Sequence, residues 1–458
     1  MKKRPLLFLF ICITAIGNAQ ILLDSTIIDE RMVVSDLEIP WDMTYGPDGW
    51  IWFTEVAGNV HRFHPDTEEH QFIFKIPDVH LFGFAAGLHS IILHPEFNDN
   101  HHLFVHYLNS ETSSKIVRYT FNEVNITLIE PIDILTDIIG AVSHNGSRML
   151  ILDNKLLISI GDGYNNPDLA QGFDTYNGKF LRLNLDGSIP DDNPIPDSYI
   201  WSWGHRNQQG FCIGNGVLYS SEHGTDFADE INIIEQNRNY GWPEVEGYCD
   251  IPEEMDFCNA QNVVEPIWEW APSIAPCGID FFDHASVPEW QNSLLVTALK
   301  DRRLIQLKLS NDGLSIVEEN HFLVGTYGRL RDVLVLPDGR IYICTTNHDF
   351  FGNPSPNDDR IIELKSNNYT AINELEYKSA FKTYPNPAKE NISIVWPENN
   401  SKEMLLEVFD INGLLLLKRD VLFHSNYHLS TNNFPNGVLI IKMANKNGQF
   451  VQKIVVEH

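Results

Sequence analysis

One short segment of this chain concentrates the residue types that bind anions and hard cations. Residues 200–243 carry Arg206, Asn207 and Gln209 within four positions, followed by a strand-like run and an acid-rich loop at residues 223–230. Guanidinium groups bind carboxylates through paired hydrogen bonds, and carboxylate and carbonyl oxygens suit ions such as Ca²⁺. The segment therefore indicates a site for an anionic ligand and a hard cation, with no side chain that suggests a nucleophile.

The charge of the whole chain excludes one class of partner. Its 458 residues include 32 Lys and Arg against 62 Asp and Glu, which gives a net charge of −30. A field of that sign repels the phosphate backbone, so we do not expect nucleic-acid binding. Hydrophobic residues make up 43% of the chain, which is enough to exclude disorder throughout. The composition favours a soluble folded protein with a small substrate.

The first 19 residues have the pattern of a secretory signal peptide. Three basic residues follow Met1, residues 5–16 are mostly apolar, and small residues precede Gln20. The apolar run is too short to span a membrane, and no later run reaches that length. We expect a soluble mature protein outside the cytoplasm, without a transmembrane span.

The cysteines agree with an exported protein. Cys249 and Cys258 flank a short acidic loop and could form a disulfide in an oxidising compartment. Cys212, Cys277 and Cys344 lie in apolar, strand-like segments that favour buried thiols.

A strand–turn–strand pattern recurs along the first three quarters of the chain. Six copies, spaced about 50–70 residues apart, begin at Trp41, Leu88, Arg148, Gly210, Gly278 and Arg329. Val, Ile, Tyr, Phe and Thr dominate the runs, and helical periodicity is hard to find. The pattern predicts an all-β, six-bladed β-propeller over residues 30–366, with a pair of β-sandwiches as the alternative. In a propeller, the loops at one end of the blades converge over the central channel, where we expect the site.

The last part of the chain predicts a separate small domain. Residues 367–382 are polar and suggest a linker, and residues 383–458 contain short strands broken by two Asn-Gly turns. The segments YPNPAKENISI, VFDINGLLL and FPNGVLIIKM resemble the C-terminal sorting domain of the type IX secretion system. The resemblance implies a β-sandwich that partners the type IX machinery and directs the protein to the outer-membrane surface or the medium. The alternative is an adhesive or carbohydrate-binding sandwich.

The propeller segment carries a second resemblance. The motifs GHRNQQG, SEHGTDFADEINII, NYGWP, PSIAPCGI, LLVTALKDRRL and GRLRDV, in this order, resemble the soluble glucose/sorbosone dehydrogenases. That family consists of six-bladed propellers that use pyrroloquinoline quinone (PQQ), a planar quinone with three carboxylates. The resemblance implies oxidation of an aldose at C1 to the lactone, with electrons passed on to an acceptor that the sequence does not identify.

The resemblance also implies roles for individual residues. His144 matches the general base, Asp162 the carboxylate that orients it, and Arg206 the cation beside the quinone carbonyl. An imidazole titrates near neutral pH and suits proton removal from a hydroxyl. The implied cofactor-binding residues are Asn207, Gln209, Ser273, Lys300, Arg329, Arg331 and Thr345. Trp270 matches a residue at the substrate mouth.

Two of these cations can be placed from their spacing alone. Arg329 and Arg331 alternate along a predicted strand, so both side chains lie on one face. Without the surrounding motif, a pair of this kind is as typical of a surface ion pair as of a carboxylate clamp.

Calcium is the metal that the resemblance implies. The backbone carbonyls of Gly224 and Thr225 match the pair that holds Ca²⁺ against the quinone, where the ion acts as a Lewis acid. Asp229, Glu230 and the Tyr240 carbonyl resemble a second, structural calcium site. The acidic pair is otherwise typical of a solvated loop in an acidic protein.

Two other functions remain open at this point. A calcium-dependent propeller hydrolase, such as a lactonase, would need acidic and amide ligands around the central axis. A carbohydrate- or protein-binding propeller without catalysis would lack the base or the cationic clamp, and the sequence retains both.

Overall fold

The computed structural model describes residues 20–83, 86–367, 381–395, 402–410, 414–423, 426–445 and 448–457. Their regular secondary structure is almost entirely β-strand, as predicted, and they divide into two compact units within residues 1–369 and 370–458. No helix among them is long and apolar enough to cross a membrane.

The first unit is built from short antiparallel strands. Its strands are β1 (Gln20–Leu22), β2 (Ile27–Val34), β3 (Pro40–Tyr45), β4 (Ile51–Glu55), β5 (Asn59–Phe63), β6 (His70–Lys75), β7 (Leu88–Leu93), β8 (His102–Ser110), β9 (Ser113–Asn122), β10 (Thr127–Ile139), β11 (Met149–Leu152), β12 (Lys155–Ile160), β13 (Lys179–Asn184), β14 (Ile200–Trp203), β15 (Gln208–Gly214), β16 (Val217–Glu222), β17 (Asp229–Ile233), β18 (Trp268–Trp270), β19 (Pro276–Phe282), β20 (Ser293–Ala298), β21 (Arg303–Leu309), β22 (Ile316–Phe322), β23 (Leu330–Val335), β24 (Ile341–Thr345) and β25 (Ile361–Ser366).

Consecutive strands form the sheets of this unit. In the described residues, five sheets have four strands each: β3–β6, β7–β10, β11–β14, β15–β18 and β19–β22. The sixth combines β23, β24 and β25 with β2 and β1 from the start of the chain, and β2 pairs antiparallel with β25. Each predicted repeat begins at or beside the first strand of one sheet. Residues 20–29 thus belong to this unit, although the predicted domain began at residue 30. The sequence did not indicate this pairing because the partner strand is about 330 residues away in the chain.

Apolar strand faces pack one sheet against the next. One core cluster joins Trp52 of β4 to Leu88 of β7 and Tyr107 of β8, and another joins Leu295 of β20 to Leu330 of β23. All six residues of β20 are buried, which explains why its sequence, SLLVTA, contains no charged side chain.

The first strands of the six sheets contact one another in a closed cycle. β3 contacts β7, β7 contacts β11, β11 contacts β15, β15 contacts β19, β19 contacts β23, and β23 returns to β3. The segments that precede these strands therefore meet around one axis.

Helices are few and short. They are α1 (Phe97–Asn100), α2 (Pro252–Gln261) and the 3-10 turns Pro167–Ala170 and Pro288–Trp290. α2 lies in the long connection between β17 and β18, where a disulfide joins Cys249 and Cys258. Cys212, Cys277 and Cys344 are buried thiols. The disulfide that the sequence left open is therefore formed, and the predicted buried thiols are confirmed.

The second unit has two sheets and one core. Its strands are β26 (Lys382–Tyr384), β27 (Asn391–Val395), β28 (Lys402–Asp410), β29 (Leu415–Phe423), β30 (Asn426–Ser430), β31 (Gly437–Asn445) and β32 (Gly448–Val456). Their orders are β26-β27-β30 and β29-β28-β31-β32. One buried cluster contains Ile392 and Leu429 from the first sheet and Leu406 and Ile441 from the second.

Two of the predicted segments fall partly or wholly outside the described residues. These are the signal peptide at 1–19 and residues 368–380 of the linker. Phe381, which the linker prediction included, is buried in the core of the second unit.

Candidate active site

A cavity of about 500 Å³ lies where the loops of several sheets converge. Six of the predicted residues line it: His144, Asn207, Gln209, Lys300, Arg329 and Arg331. They come from four different sheets, so the fold and not the local sequence brings them together.

His144 and Asp162 form a buried pair at one side of this cavity. Nδ1 of His144 lies 2.9 Å from Oδ1 of Asp162, with side-chain exposures of 11% and 1%. An ionised carboxylate can only accept, so Nδ1 donates, and in the neutral ring Nε2 is then the nitrogen that can accept a proton. The two loops approach so closely that a Cβ on Gly161 would lie 2.1 Å from the carbonyl oxygen of His144. This arrangement suits a general base whose ring is held by a carboxylate.

Planar amides continue from the base across the cavity. Nε2 of Gln209 donates to Oδ1 of Asn207 at 3.0 Å, and Oε1 of Gln209 accepts from Arg331 at 3.2 Å. The backbone N–H of Gly146 lies 3.4 Å from the same Asn207 oxygen. A line of hydrogen bonds thus joins the His144 loop to the cationic side.

The opposite side of the cavity is strongly cationic. Arg329 is held by Asp349, with both its Nε and a terminal nitrogen 2.8 Å from Oδ2. The Arg331 guanidinium lies 4.0 Å from the ring centre of Trp41, and its buried Nε has no hydrogen-bond partner in the described residues. Burial lowers the pKa of Arg329, although Asp349 opposes that shift. As predicted from their alternation, both arginines face the same way.

Two further cations leave this lining with an excess of positive charge. Lys300 and Arg302 are exposed, and neither makes an ion pair within the described residues. Asp349 is the one carboxylate in the described lining, against four cations. In a chain with a net charge of −30 this reversal marks a site for an anion.

Arg206 lies next to this cavity, not in its described lining. A terminal nitrogen donates to the backbone oxygen of His223 at 2.9 Å, and the guanidinium lies 5.2 Å from the ring centre of Trp242. Burial lowers the pKa of Arg206, and its Nε is buried without a partner among the described residues. His223 lies between Arg206 and the main cavity, which it lines.

The predicted calcium ligands are only partly brought together. Gly224, Glu230 and Tyr240 line a small neighbouring cavity with Glu222 and Glu246. Burial, followed by repulsion from Glu222, raises the pKa of Glu230 to about 8. The hydroxyl and the backbone N–H of Thr225 donate hydrogen bonds to Glu246. The backbone carbonyls of Gly224 and Thr225 accept no hydrogen bond from the described residues.

The Asp229 carboxylate has another task. It accepts hydrogen bonds from the Gly224 N–H, the Ser273 hydroxyl and the N–H groups of Ile274 and Ala275, at 2.6–2.8 Å. Its oxygens are therefore committed to bracing two loops. Among the described residues, no group of three or more His, Cys, Asp or Glu side chains could hold a metal ion.

Three predicted contact residues do not line the cavity. The Trp270 indole is buried and its N–H lies 3.1 Å from Glu319. The Ser273 hydroxyl donates to Asp229, and the Thr345 hydroxyl donates to Asp359 at 3.0 Å. Each hydroxyl or N–H already serves a neighbouring loop or sheet.

Comparison with known proteins identifies the larger unit. Residues 37–350 match the family described as Glucose / Sorbosone dehydrogenase. The chain belongs to this family. The resemblance in the propeller motifs is confirmed, and so is the enzyme class, an oxidoreductase.

Two named relatives and one solved structure align with most of this chain and with most of their own length. Quinoprotein glucose dehydrogenase B of Acinetobacter calcoaceticus is 29% identical over 74% of this chain and 89% of its own. Aldose sugar dehydrogenase YliI of Escherichia coli is 30% identical over 69% of this chain and 90% of its own. The structure of the PQQ-bound aldose sugar dehydrogenase of Streptomyces coelicolor matches with a TM-score of 0.66 and 29% identity, covering 74% and 98% of the two chains.

The second unit also matches a known family. Residues 382–457 match the description Secretion system C-terminal sorting domain. This confirms the resemblance stated for the tail of this dehydrogenase-family chain.

Sequence reasoning missed several residues that line the cavity. They are Trp41, His223, Arg302, Asp349 and Phe351. A positional signal was available, because His223 and Asp349 follow the second strands of their sheets just as Asp162 and Lys300 do. In antiparallel sheets, the end of the second strand lies beside the start of the first.

Proposed function

We propose that this chain is a secreted, PQQ- and calcium-dependent dehydrogenase that oxidises aldose sugars at C1 to the lactone. One observation carries the proposal: His144, whose ring is hydrogen-bonded to Asp162, lines a single cavity together with four cations and two planar amides. The names of the relatives, a quinoprotein glucose dehydrogenase and a PQQ-bound aldose sugar dehydrogenase, support the same chemistry.

The residues present suit a planar, polyanionic cofactor. Lys300, Arg329 and Arg331 would bind its carboxylates, and the unpartnered Nε of Arg331 is a free donor toward such a group. Asn207 and Gln209 would contact its polar edge. When bound, PQQ would supply a two-electron acceptor for the oxidation of the sugar.

The chain itself manages the proton. His144 presents Nε2 as the base for the anomeric hydroxyl, and Asp162 holds the ring and stabilises the imidazolium that forms. Arg206 is a fixed, buried cation beside the site, positioned to stabilise negative charge as it develops.

Calcium fits the same region. The carbonyls of Gly224 and Thr225, free of described hydrogen bonds, would hold the ion that polarises the cofactor. Glu222, Glu230 and Tyr240 line the small neighbouring cavity, and a second, structural ion there would bind the Tyr240 carbonyl and carboxylate oxygens that now accept hydrogen bonds. A cation there would offset the repulsion between the two glutamates.

The architecture supports a six-bladed propeller. The closed cycle of six first strands and the joining of β2 to β25 are what ring closure requires. The second unit is proposed to be a β-sandwich that acts as the sorting domain, since its two sheets share one core. With residues 1–19 as signal peptide, the propeller would be exported to the cell surface or the medium.

The hydrolase alternative receives less support. It needs acidic ligands that face the central axis and are free to bind a metal. Asp42 and Asp332, which line the central cavity of about 170 Å³, are instead both paired with Arg148. A binding propeller without catalysis would have no use for the buried His144–Asp162 pair.

Reconstitution tests the proposal. The purified protein, incubated with PQQ and Ca²⁺ and given a panel of aldoses and sorbosone, should reduce an artificial dye at a rate that depends on the sugar. Omission of PQQ, or EDTA added before PQQ, should abolish the rate. Reconstituted protein that reduces no dye with any sugar would overturn the proposal.

A further inference from the structure

Trp242 contacts both halves of the proposed catalytic machinery. Its indole Nε1 donates to Oδ2 of Asp162 at 2.9 Å. The face of the same ring carries the Arg206 guanidinium, 5.2 Å from the ring centre. Trp242 belongs to the connection between β17 and β18, so it reaches Asp162 from a different sheet.

With this hydrogen bond, both carboxylate oxygens of Asp162 have hydrogen-bond partners. Oδ1 of the carboxylate accepts from His144 Nδ1 at 2.9 Å and from the Tyr164 N–H at 2.8 Å. With Oδ2 held by the indole, neither oxygen can turn away from its partner. The plane of the carboxylate, and with it the His144 ring, is therefore set partly by Trp242.

Trp242 is itself firmly placed. The backbone N–H of Trp242 donates to the Gly204 carbonyl at 3.0 Å, and the backbone carbonyl of Trp242 accepts from the Gln171 side chain at 2.7 Å. The preceding Gly241 has a φ of 92°, and a Cβ there would lie 2.7 Å from the Cβ of Val245. The backbone thus presents the indole in one orientation.

We propose that Trp242 is a positioning residue that holds Asp162, and through it the base His144, in register with Arg206. The inference rests on the proposed function, because it assigns His144 the role of base. A hydrogen bond to an ionised carboxylate contributes about 1.5–3 kcal/mol, which corresponds to at least about a tenfold effect when it acts on the reacting geometry.

Trp242→Phe tests the inference, because phenylalanine keeps a ring under Arg206 and removes the donor. We expect kcat to fall about tenfold or more, with KM and PQQ affinity nearly unchanged. Trp201→Phe is the matched control: Arg182 lies 5.1 Å over that ring too, but the indole N–H is buried without a partner in the described residues. Equal kcat values for the two variants would overturn the proposal.

A double-mutant cycle separates positioning from a general structural effect. If Trp242 acts through Asp162, then Trp242→Phe should cost little further activity in an Asp162→Asn background. Losses that simply add would show that the tryptophan acts elsewhere and would contradict the inference.

A readout without turnover distinguishes this inference from the proposed function. In the apo protein, the His144 ring signals, assigned by comparison with His144→Ala, can be followed by NMR. Without the indole donor, Oδ2 of Asp162 loses its hydrogen bond and the His144 ring is held less firmly, so these signals should shift and broaden in Trp242→Phe and keep their wild-type positions in Trp201→Phe. Unchanged signals in Trp242→Phe overturn the coupling, whereas a wild-type protein inactive with PQQ overturns the proposed function alone.

Discussion

At the scale of single residues, the site depends on a few side chains whose partners differ. His144 and the proposed clamp arginines face one cavity, yet His144 is oriented by Asp162 while Arg329 is held by Asp349. A substitution at the proposed base should therefore leave cofactor binding intact, and a substitution at the proposed clamp should leave the base in place.

Replacing His144 by alanine should remove catalysis and spare the cofactor. The side chain supplies the proton acceptor, a role worth about 10²–10⁴-fold in rate, but it does not contribute to the cationic side of the cavity. Steady-state rates and PQQ titration by absorbance check this. His101→Ala, a histidine outside the described lining, is the control. A His144→Ala variant with wild-type turnover would remove His144 from the mechanism.

A buried triad on the central axis should make stability depend on pH. Burial, together with repulsion from Asp42, raises the pKa of Asp332 to about 7, and Arg148 opposes the shift. The folded state thus binds this proton more tightly than the unfolded chain, whose carboxyl titrates near pH ~4. The contribution is complete below that pH and is lost as pH rises through about 7.

The urea midpoint should therefore fall between roughly pH 4 and pH 7 more steeply in the wild type than in Asp332→Asn. Asp99→Asn, a change at an exposed carboxylate, should keep the wild-type slope. Parallel slopes in all three proteins would contradict the assignment.

At the scale of elements, antiparallel pairing explains where the site residues occur. His144, Asn207 and Arg329 lie just before first strands, and Asp162 and Lys300 lie just after second strands. These positions share one end of each sheet, so a cavity at that end collects residues separated by more than a hundred positions.

The strand from the start of the chain should be essential to the larger unit. β2 pairs with β25 along six residue pairs and buries Ile28 and Val34. A chain starting at residue 35 would expose that edge of β25 and should be recovered mostly in the insoluble fraction. A chain starting at residue 26 loses β1 alone and should remain soluble with a similar melting temperature. Soluble, cooperatively unfolding protein from the shorter chain would show that β2 is dispensable.

At the scale of the molecule, we propose that the two units carry separate functions, export and catalysis. The core of the second unit consists of its own residues, among them Ile454, and the proposed catalytic residues all lie in the first. Export and catalysis should therefore be separable.

Disrupting the tail should stop export without changing the enzyme. Ile454→Asp places a charge in the buried core, a change that costs several kcal/mol, whereas Lys453→Asp alters an exposed neighbour on the same strand. We expect the first variant to be retained in the cell with unchanged kcat/KM, and the second to be exported. Cell fractionation with activity assays measures both, and equal export of the two variants would contradict a sorting role for the folded tail.

The amino-acid sequence by itself determined the strand-rich repeats, the two families and the residue types of the site. These follow from local patterns: apolar alternation, turn residues and ordered motifs lie within short stretches of chain. Arg329 and Arg331 face one way because alternation along a strand requires it. The pairing of Cys249 with Cys258 was likewise suggested by their closeness in the chain.

The tertiary structure alone decided which residues share the cavity. In the cavity, Trp41 contacts Arg331, and Asp349 binds Arg329. Trp270 and Thr345, by contrast, donate their hydrogen bonds to Glu319 and Asp359. These outcomes depend on contacts between distant strands and on competition among buried donors and acceptors, since nearly every buried polar group takes a hydrogen-bond partner. Local sequence does not specify that partner, because ring closure places it.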